Sequence, residues 1–348
     1  NNPVADFLSR SHGLACAAID ASPDRIKALQ AKDSVTIEIA KAMTEGRPPT
    51  LPRELKPYAN NLAMKDGIIF VFLAGRKGVF NDGGYRILAP AGLQPELVQE
   101  AHDALLAGHQ GIFRTLERIR KDFWWPKMGA DITSHVAGCP SCQKTSNKQR
   151  PAPNSPTAYQ LPTAPNQRVH MDLFGPLKDK NGDKKMILGL TDAFTKIVRV
   201  TVVDNKEAPT VAKAIWKEWI SIYGVPRIFV SDQGTEFCNE LERAIWRILG
   251  IEHRTTAPFW PRCNQQQEHQ NKTLAHYLRC VLQAAGKTSV DWELYIPALM
   301  FSLNTAVNAA TRQSPFYTHF GYDPRLPLWP DMEVLLERDF DTSHLQAA

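Results

Sequence analysis

Long hydrophobic runs are missing from this chain: the longest uninterrupted apolar stretch, Ile68 to Ala74, is seven residues, well short of the roughly 20 that a membrane-crossing helix needs. No transmembrane segment and no membrane partner are therefore expected. Cysteine is scarce as well. The six among 348 residues are unevenly placed, with only Cys139 and Cys142 close together, which excludes a disulfide-stapled scaffold and points to a reducing compartment. The opening Asn1-Asn2-Pro3-Val4-Ala5-Asp6 has neither an initiator Met nor a charged-then-apolar signal region, which argues against secretion and for a piece cut from a longer product. Apolar material is not short. With 43% hydrophobic and 22% charged residues the composition is globular, and the length predicts two or three domains.

The charge balance is 41 basic against 36 acidic residues, or +5. Its distribution is more informative than its size. Residues 110–150 hold eight basic side chains (Arg114, Arg118, Arg120, Lys121, Lys127, Lys144, Lys148, Arg150) and three acidic ones (Glu117, Asp122, Asp131), which is again +5, so the remainder nets to zero. Such a block is either a polyanion-binding face or an ordinary solvated surface.

Along the chain, residues 1–60 read as a leader. Short helical patterns such as Ser22 to Lys32 alternate there with Gly46-Arg47-Pro48-Pro49, predicting loose order. Residues 61–95 turn β-like: Gly67 to Phe72 and Tyr85 to Leu88, around Asn81-Asp82-Gly83-Gly84, predict a β-hairpin extension. In 96–149 the segment from Leu97 to about Arg120 predicts two helices separated near Gly108 and Gly111. Residues 150–167 carry prolines at 151, 153, 156, 162 and 165 without apolar period, a linker signature. Across 168–330 three strands (169–173, 186–190, 197–203) precede alternating helices and strands. That order predicts an α/β domain with a mixed sheet covered by helices. Residues 331–348 form a C-terminal tail.

Two constellations carry chemistry. In the first, His102 and His109 are six residues apart in between, twenty-nine residues follow, and then comes the Cys139-x2-Cys142 knuckle. Zinc takes four such ligands in a tetrahedron when the intervening chain folds back; the bland alternative is two surface histidines and an incidental cysteine pair. Between the pairs, Ile112, Leu116, Ile119, Phe123, Trp124 and Trp125 make too small a core to hold a domain alone, so a structural zinc ion is expected to contribute folding energy.

The second constellation is three carboxylates: Asp172 within a predicted strand, Asp232 directly after the strand ending at Ser231, and Glu268 at a helix start. Brought together they make an oxygen-rich site suited to magnesium, and two such ions can assist phosphoryl transfer. Lys272 and Arg279 share a predicted helix face with Glu268, a pattern suited to a phosphate backbone or, for Glu268 and Lys272, to an internal salt bridge. Asp192 stands beside the predicted sheet and is left out of this set. Cys16, Cys238, Cys263 and Cys280 have no partner at ligand spacing and read as free buried thiols.

These residues carry a family resemblance. The block from His102 through Gly108-His109-Gln110-Gly111 and Trp124-Trp125-Pro126-Lys127-Met128 to Cys139-Pro140-Ser141-Cys142 resembles the His-His-Cys-Cys zinc domain of retroelement integrases. Met171-Asp172-Leu173-Phe174-Gly175-Pro176, Ser231-Asp232-Gln233-Gly234-Thr235-Glu236-Phe237 and the stretch from Asn264 through Glu268 to Asn271 resemble the three blocks of the integrase Asp-Asp-Glu core, with thirty-five residues between Asp232 and Glu268. The resemblance spans roughly residues 62 to 330 and points to the gypsy class of long-terminal-repeat retrotransposons.

What the resemblance implies is an RNase H-like catalytic core, preceded by a small helical zinc-binding domain and the hairpin extension. The implied enzyme is a polynucleotidyl transferase that trims the 3′ ends of element DNA and joins them to target DNA by two-metal transesterification. Asp172, Asp232 and Glu268 would hold two magnesium ions, His102, His109, Cys139 and Cys142 a structural zinc, and Lys272 and Arg279 DNA. The implied partners are double-stranded DNA and further copies of the chain, as dimer or tetramer, and the implied location is the nucleus after a cytoplasmic particle stage. The chain departs from the family at Gln265, where Gly is usual, and at Gln270, where an aromatic is common. It also stops near Ala348, before the small β-barrel of family members. The glutamine-rich loop favours the alternative, a catalytically inactive integrase-derived DNA-binding protein.

Overall fold

A computed structural model describes residues 19–76, 83–145, 162–179, 181–231, 246, 250–255, 276, 280 and 292–326. Contacts divide the chain into two compact units, one taking in Cys16–Pro140 and the other Ser141–Pro324. Among the described residues no helix is long and apolar enough to cross a membrane.

The first unit begins with α1 (Pro23–Gln30) and α2 (Ser34–Glu45). Ser22 caps α1 by accepting from Arg25 N–H, with proline in the first turn, and Asp33 caps α2 by accepting from Thr36 N–H. A four-stranded sheet follows: β1 (Leu62–Lys65), β2 (Ile68–Leu73) and β3 (Gly84–Leu88) pair antiparallel in order. After α3 (Gln94–Asp103) and α4 (Ile112–Arg120), β4 (Phe123–Trp124) adds parallel to β3, and α5 (Met128–Gly138) closes the segment; α6 (Pro140–Thr145) begins where the division of the chain falls. The extension is thus more than the expected hairpin, because a dipeptide far along the chain returns to its edge.

Residues 23–45 depart from the loose order expected of a leader. Ile26 and Ile39 are fully buried, and the Gln30 side chain is built into the sheet. Its Nε2 donates to Leu88 O at 2.8 Å and Ile69 O at 3.2 Å, while its Oε1 accepts from Ile69 N at 2.9 Å. The short helices are held by tertiary burial rather than by length, as is usual for helices of this size. The two faces of the sheet have separate cores. Ile68, Phe70 and Ile87 pack with Ile26, Leu97, Ile119, Phe123, Trp125 and Ile132, whereas Ile69 and Leu88 pack with Ile39, Leu51 and Leu55. Burial on both faces explains why β2 reads as a continuous apolar run. The residues between the His and Cys pairs, too few to hold a domain alone, share their cluster with the sheet.

The second unit carries a five-stranded sheet in the order β7-β6-β5-β8-β9. Its strands are β5 (Arg168–Lys178), β6 (Lys184–Asp192) and β7 (Val198–Val203), then, after α7 (Ala208–Ile215), β8 (Ile228–Ser231) and β9 (Glu252–Thr255). β5, β6 and β7 are antiparallel neighbours, while β8 and β9 run parallel to β5. This is the expected mixed sheet. Val169, Met171, Leu188 and Leu190 face Val211, Ile215 and Trp219 of the helical stretch that starts with α7 and continues to Tyr223 through a π-turn at Trp216–Ile220. On the β7 edge, α8 (Ile296–Thr305) lays Asn304 across Val198, accepting from its N–H at 2.8 Å and donating to its C=O at 2.9 Å. α9 (Pro315–Phe320) follows, capped by Ser314.

Candidate metal centre and strand carboxylate

His102 sits at the C-terminal end of α3 with its ring fully buried. Its Nδ1 lies 2.9 Å from Gln110 O. A carbonyl can only accept, so Nδ1 carries the proton and Nε2 presents its lone pair, the arrangement a metal-ligating histidine needs. Burial first, then the neighbouring His109, pushes the imidazole down to about 4, so the ring is neutral at physiological pH. The chain then reverses through two left-handed residues, Gly108 (φ +70°) and His109 (φ +47°). Glycine takes the first without cost, and the turn is closed by His109 N–H donating to His102 O at 3.0 Å. Arg118 pins this loop from α4: its buried guanidinium donates to Ala101 O at 2.7 Å and Ala107 O at 3.3 Å.

The cysteine knuckle arrives from α5 and α6. His109 Nδ1 stands 3.5 Å from Cys139 Sγ, and one donor atom from each of His102, His109, Cys139 and Cys142 lies within 4.8 Å of the others. Zinc–sulfur and zinc–nitrogen bonds of about 2.3 and 2.05 Å at a tetrahedral angle imply an S···N edge of about 3.6 Å. The donor set and this spacing fit zinc. Asp103, beside His102, faces the same cluster: its Oδ1 is 3.7 Å from His109 Nδ1 and 3.8 Å from Cys139 Sγ, and its Oδ2 accepts from His135 Nε2 at 3.0 Å. Ligand spacing alone singles out none of Asp103, His135 or Arg118; adjacency to His102 is the signal for Asp103.

The +5 block resolves partly into structure. Arg118 is buried in the loop, Arg114 donates to Gln110 Oε1 at 3.2 Å, and Lys127 pairs with Glu54 at 2.9 Å. Burial lowers both guanidinium pKa values. Lys148 and Arg150 lie outside the described residues.

Of the three carboxylates, Asp172 is described, and Asp232, Glu268, Lys272 and Arg279 lie outside the described residues. Asp172 is half-buried on β5, opposite Gly189 of β6, and its Oδ1 accepts from Leu173 N–H at 2.9 Å. Two residues earlier, buried His170 pairs in register with Val230 of β8. Burial, with Arg168 and Lys196 nearby, pushes His170 down to about 4. β8 ends at Ser231, which lies 2.9 Å from His253 Nε2 and immediately precedes Asp232 in sequence. Asp192 is fully buried and spent on the backbone: Oδ1 accepts from Asn166 N–H at 3.0 Å, and Oδ2 from Thr195 N–H at 2.7 Å and Oγ1 at 2.8 Å.

Cys280 is a buried thiol, as expected, and its Sγ lies 3.6 Å from His276 Nε2. Cys16, Cys238 and Cys263 lie outside the described residues.

Comparison with known proteins places both regions. Residues 89–148 match the integrase zinc binding domain and residues 162–261 the integrase core domain. The chain is 30% identical over 226 residues to the retrovirus-related Pol polyprotein from transposon 412 of Drosophila melanogaster, covering 65% of this chain and 18% of that protein. It is 28% identical to the Pro-Pol polyprotein of feline foamy virus, covering 72% of this chain and 21% of the other. The gypsy retrotransposon integrase-like protein 1 of Pongo abelii matches at 24% over 88% of this chain and 57% of its own length. The chain therefore spans about a fifth of the polyproteins it matches.

Proposed function

Because the chain belongs to the retroelement integrases, with their zinc-binding domain followed by their RNase H-like core, we propose that it trims the 3′ ends of a gypsy-class element's double-stranded DNA and joins them to target DNA. The observation that carries this reading is the placement of Asp172 on the central strand of the mixed sheet, next to a parallel strand that runs directly into Asp232. Asp172 and Asp232 each follow a residue of the His170–Val230 register pair by two positions. With Glu268 they form the set that would hold two magnesium ions. Magnesium bound there would supply activation of the attacking oxygen and charge stabilisation on the leaving one.

In joining, the 3′ hydroxyl oxygen of the element forms a bond to a target phosphorus. The phosphorus–O3′ bond of the target strand breaks, and the departing 3′ oxygen takes a proton. One phosphodiester is made for each one lost, so no external energy carrier is needed. End trimming is the same displacement with water as nucleophile. Lys272 and Arg279 neutralise backbone phosphates of the element end. His102, His109, Cys139 and Cys142 hold a zinc ion that fixes the fold around it. Two DNA ends call for at least two copies of the chain, as a dimer or tetramer, acting in the nucleus after a cytoplasmic particle stage.

The test is incubation with magnesium and a pre-recessed oligonucleotide duplex bearing the element's terminal sequence, alongside Asp232→Asn. Joined products from the wild type that vanish in the variant support the reading. DNA binding with no products from either protein turns it into that of an inactive, DNA-binding descendant, which the Gln265–Gln267 run favours.

A further inference from the structure

We propose that Asp103 is an additional zinc donor, aimed by His135, that completes a set with His102, His109 and Cys139 and keeps the metal bound when the Cys142 thiolate is withdrawn. Asp103, His135 and these three ligands all belong to the Cys16–Pro140 unit. Asp103 Oδ1 stands 3.7 Å from His109 Nδ1, 3.8 Å from Cys139 Sγ and 3.9 Å from His102 Nε2. Tetrahedral zinc with bonds of about 2.1 Å to oxygen and nitrogen and about 2.3 Å to sulfur implies edges of about 3.4 Å for O···N and about 3.6 Å for O···S. Each separation is within about 0.5 Å of its edge, so one carboxylate oxygen faces all three donors at once.

The polarity of the facing atoms calls for a cation. His102 Nδ1 donates to Gln110 O, so Nε2 turns a lone pair toward Oδ1, and a carboxylate oxygen has no proton to offer it. Two electron-pair donors placed this way repel unless a positive ion lies between them. The other carboxylate oxygen is taken by His135, whose Nε2 donates to Oδ2 at 3.0 Å. A hydrogen bond of this kind is the usual means of fixing the direction of a ligating carboxylate. Exchanging one thiolate for one carboxylate also leaves the charge of the set unchanged. Cys142 is the more accessible of the two sulfurs, half-buried where Cys139 is buried, and is therefore the one lost first to a thiol reagent.

The inference rests on the zinc reading of His102, His109, Cys139 and Cys142, so the wild type is measured first. The full chain, purified under reducing conditions, is equilibrated with zinc, desalted and assayed for metal. About one zinc ion per chain is expected in the wild type, in Asp103→Asn and in Cys142→Ala, and less than about a tenth in Cys142→Ala/Asp103→Asn. The asparagine oxygen still accepts from His135, so the double variant loses the ligand charge and keeps the contact, and the single Asp103→Asn shows that the fold tolerates the change. With cobalt in place of zinc, sulfur-to-metal charge-transfer intensity should fall by about half in Cys142→Ala while the tetrahedral ligand-field bands persist. Adding His135→Ala to Cys142→Ala should weaken zinc about 10–100-fold in chelator competition. A zinc-free Cys142→Ala, folded or not, overturns the proposal, as does equal zinc affinity in Cys142→Ala and the Asp103→Asn double variant. A zinc-free wild type overturns it together with the reading on which it rests.

Discussion

The two sheets of this molecule are built from similar β-branched and aromatic residues and put to different uses. In the first, β2 is buried on both faces and nearly along its whole length: Ile68 and Phe70 face one core, Ile69 the other. Such a strand has no room for a polar side chain. In the second sheet, β5 begins equally buried but opens at Asp172, and the face opposite Val169 and Met171 carries His170 and then the carboxylate. The difference shows where chemistry can reside. A titratable group needs rigid backbone on either side and access at one end, which a strand emerging from a core provides and a fully covered strand does not.

The sharpest way to break this contrast is Asp172→Asn. The amide oxygen can still accept from Leu173 N–H, so the fold should hold, with the thermal midpoint and zinc content unchanged. Losing a ligand charge should remove several kcal/mol of transition-state stabilisation, which is about a thousandfold or more in joining rate. Joined product measured against time is the readout, and near-normal joining would remove Asp172 from the site. The converse belongs to the first sheet. Phe70 is about as buried as a residue can be, and Phe70→Ala should cost about 3–5 kcal/mol in denaturant unfolding, with joining per folded molecule retained. A loss under about 1 kcal/mol would mean that the two-faced core does not support its unit.

Much of the second sheet was legible because its signals are local. Alternation marks β5, and the spacing of Val211, Ile215 and Trp219 marks the covering helix, whatever they pack against. The His and Cys pairs were legible for a different reason, since zinc chemistry restricts residue type as well as spacing. What escaped is non-local. Nothing in Phe123-Trp124 announces a parallel pairing to Ile87-Leu88, and α1 and α2 are too short for periodicity to reveal that Gln30 stitches them to the sheet. Arg118 counted toward a basic face yet is buried against two carbonyls. Charge composition shows how many cations a segment has, never which of them face water.

A smaller effect is read through pH. The folded chain keeps His170 neutral down to about pH 4, whereas the unfolded chain protonates it near the ordinary 6.5. The unfolded state therefore binds the extra proton first. The contribution is fully present above pH 6.5 and is lost as pH falls from there to about 4. By linkage the loss amounts to about 3 kcal/mol. Denaturant midpoints at pH 7.5 and 5 should show this slope in the wild type and a shallower one in His170→Gln. Parallel slopes would mean that the ring is not held neutral by the fold.

The smallest effect concerns the edge of the second sheet. A free edge strand exposes backbone groups to other chains, and β7 is closed at Val198 by Asn304 alone among the described side chains that bond to that residue's backbone. Asn304→Ala removes an acceptor and a donor together, so Val198 N–H and C=O both lose their side-chain partner, at a cost of about 1–2 kcal/mol. Because Asn304 contacts the edge and not the central strand, the change should be local. Hydrogen exchange should accelerate at the Val198 amide while Met171 on β5 stays protected. Equal acceleration at both would mean that edge and centre open as one unit, and that the rigidity ascribed to the strand bearing Asp172 depends on the helix that carries Asn304.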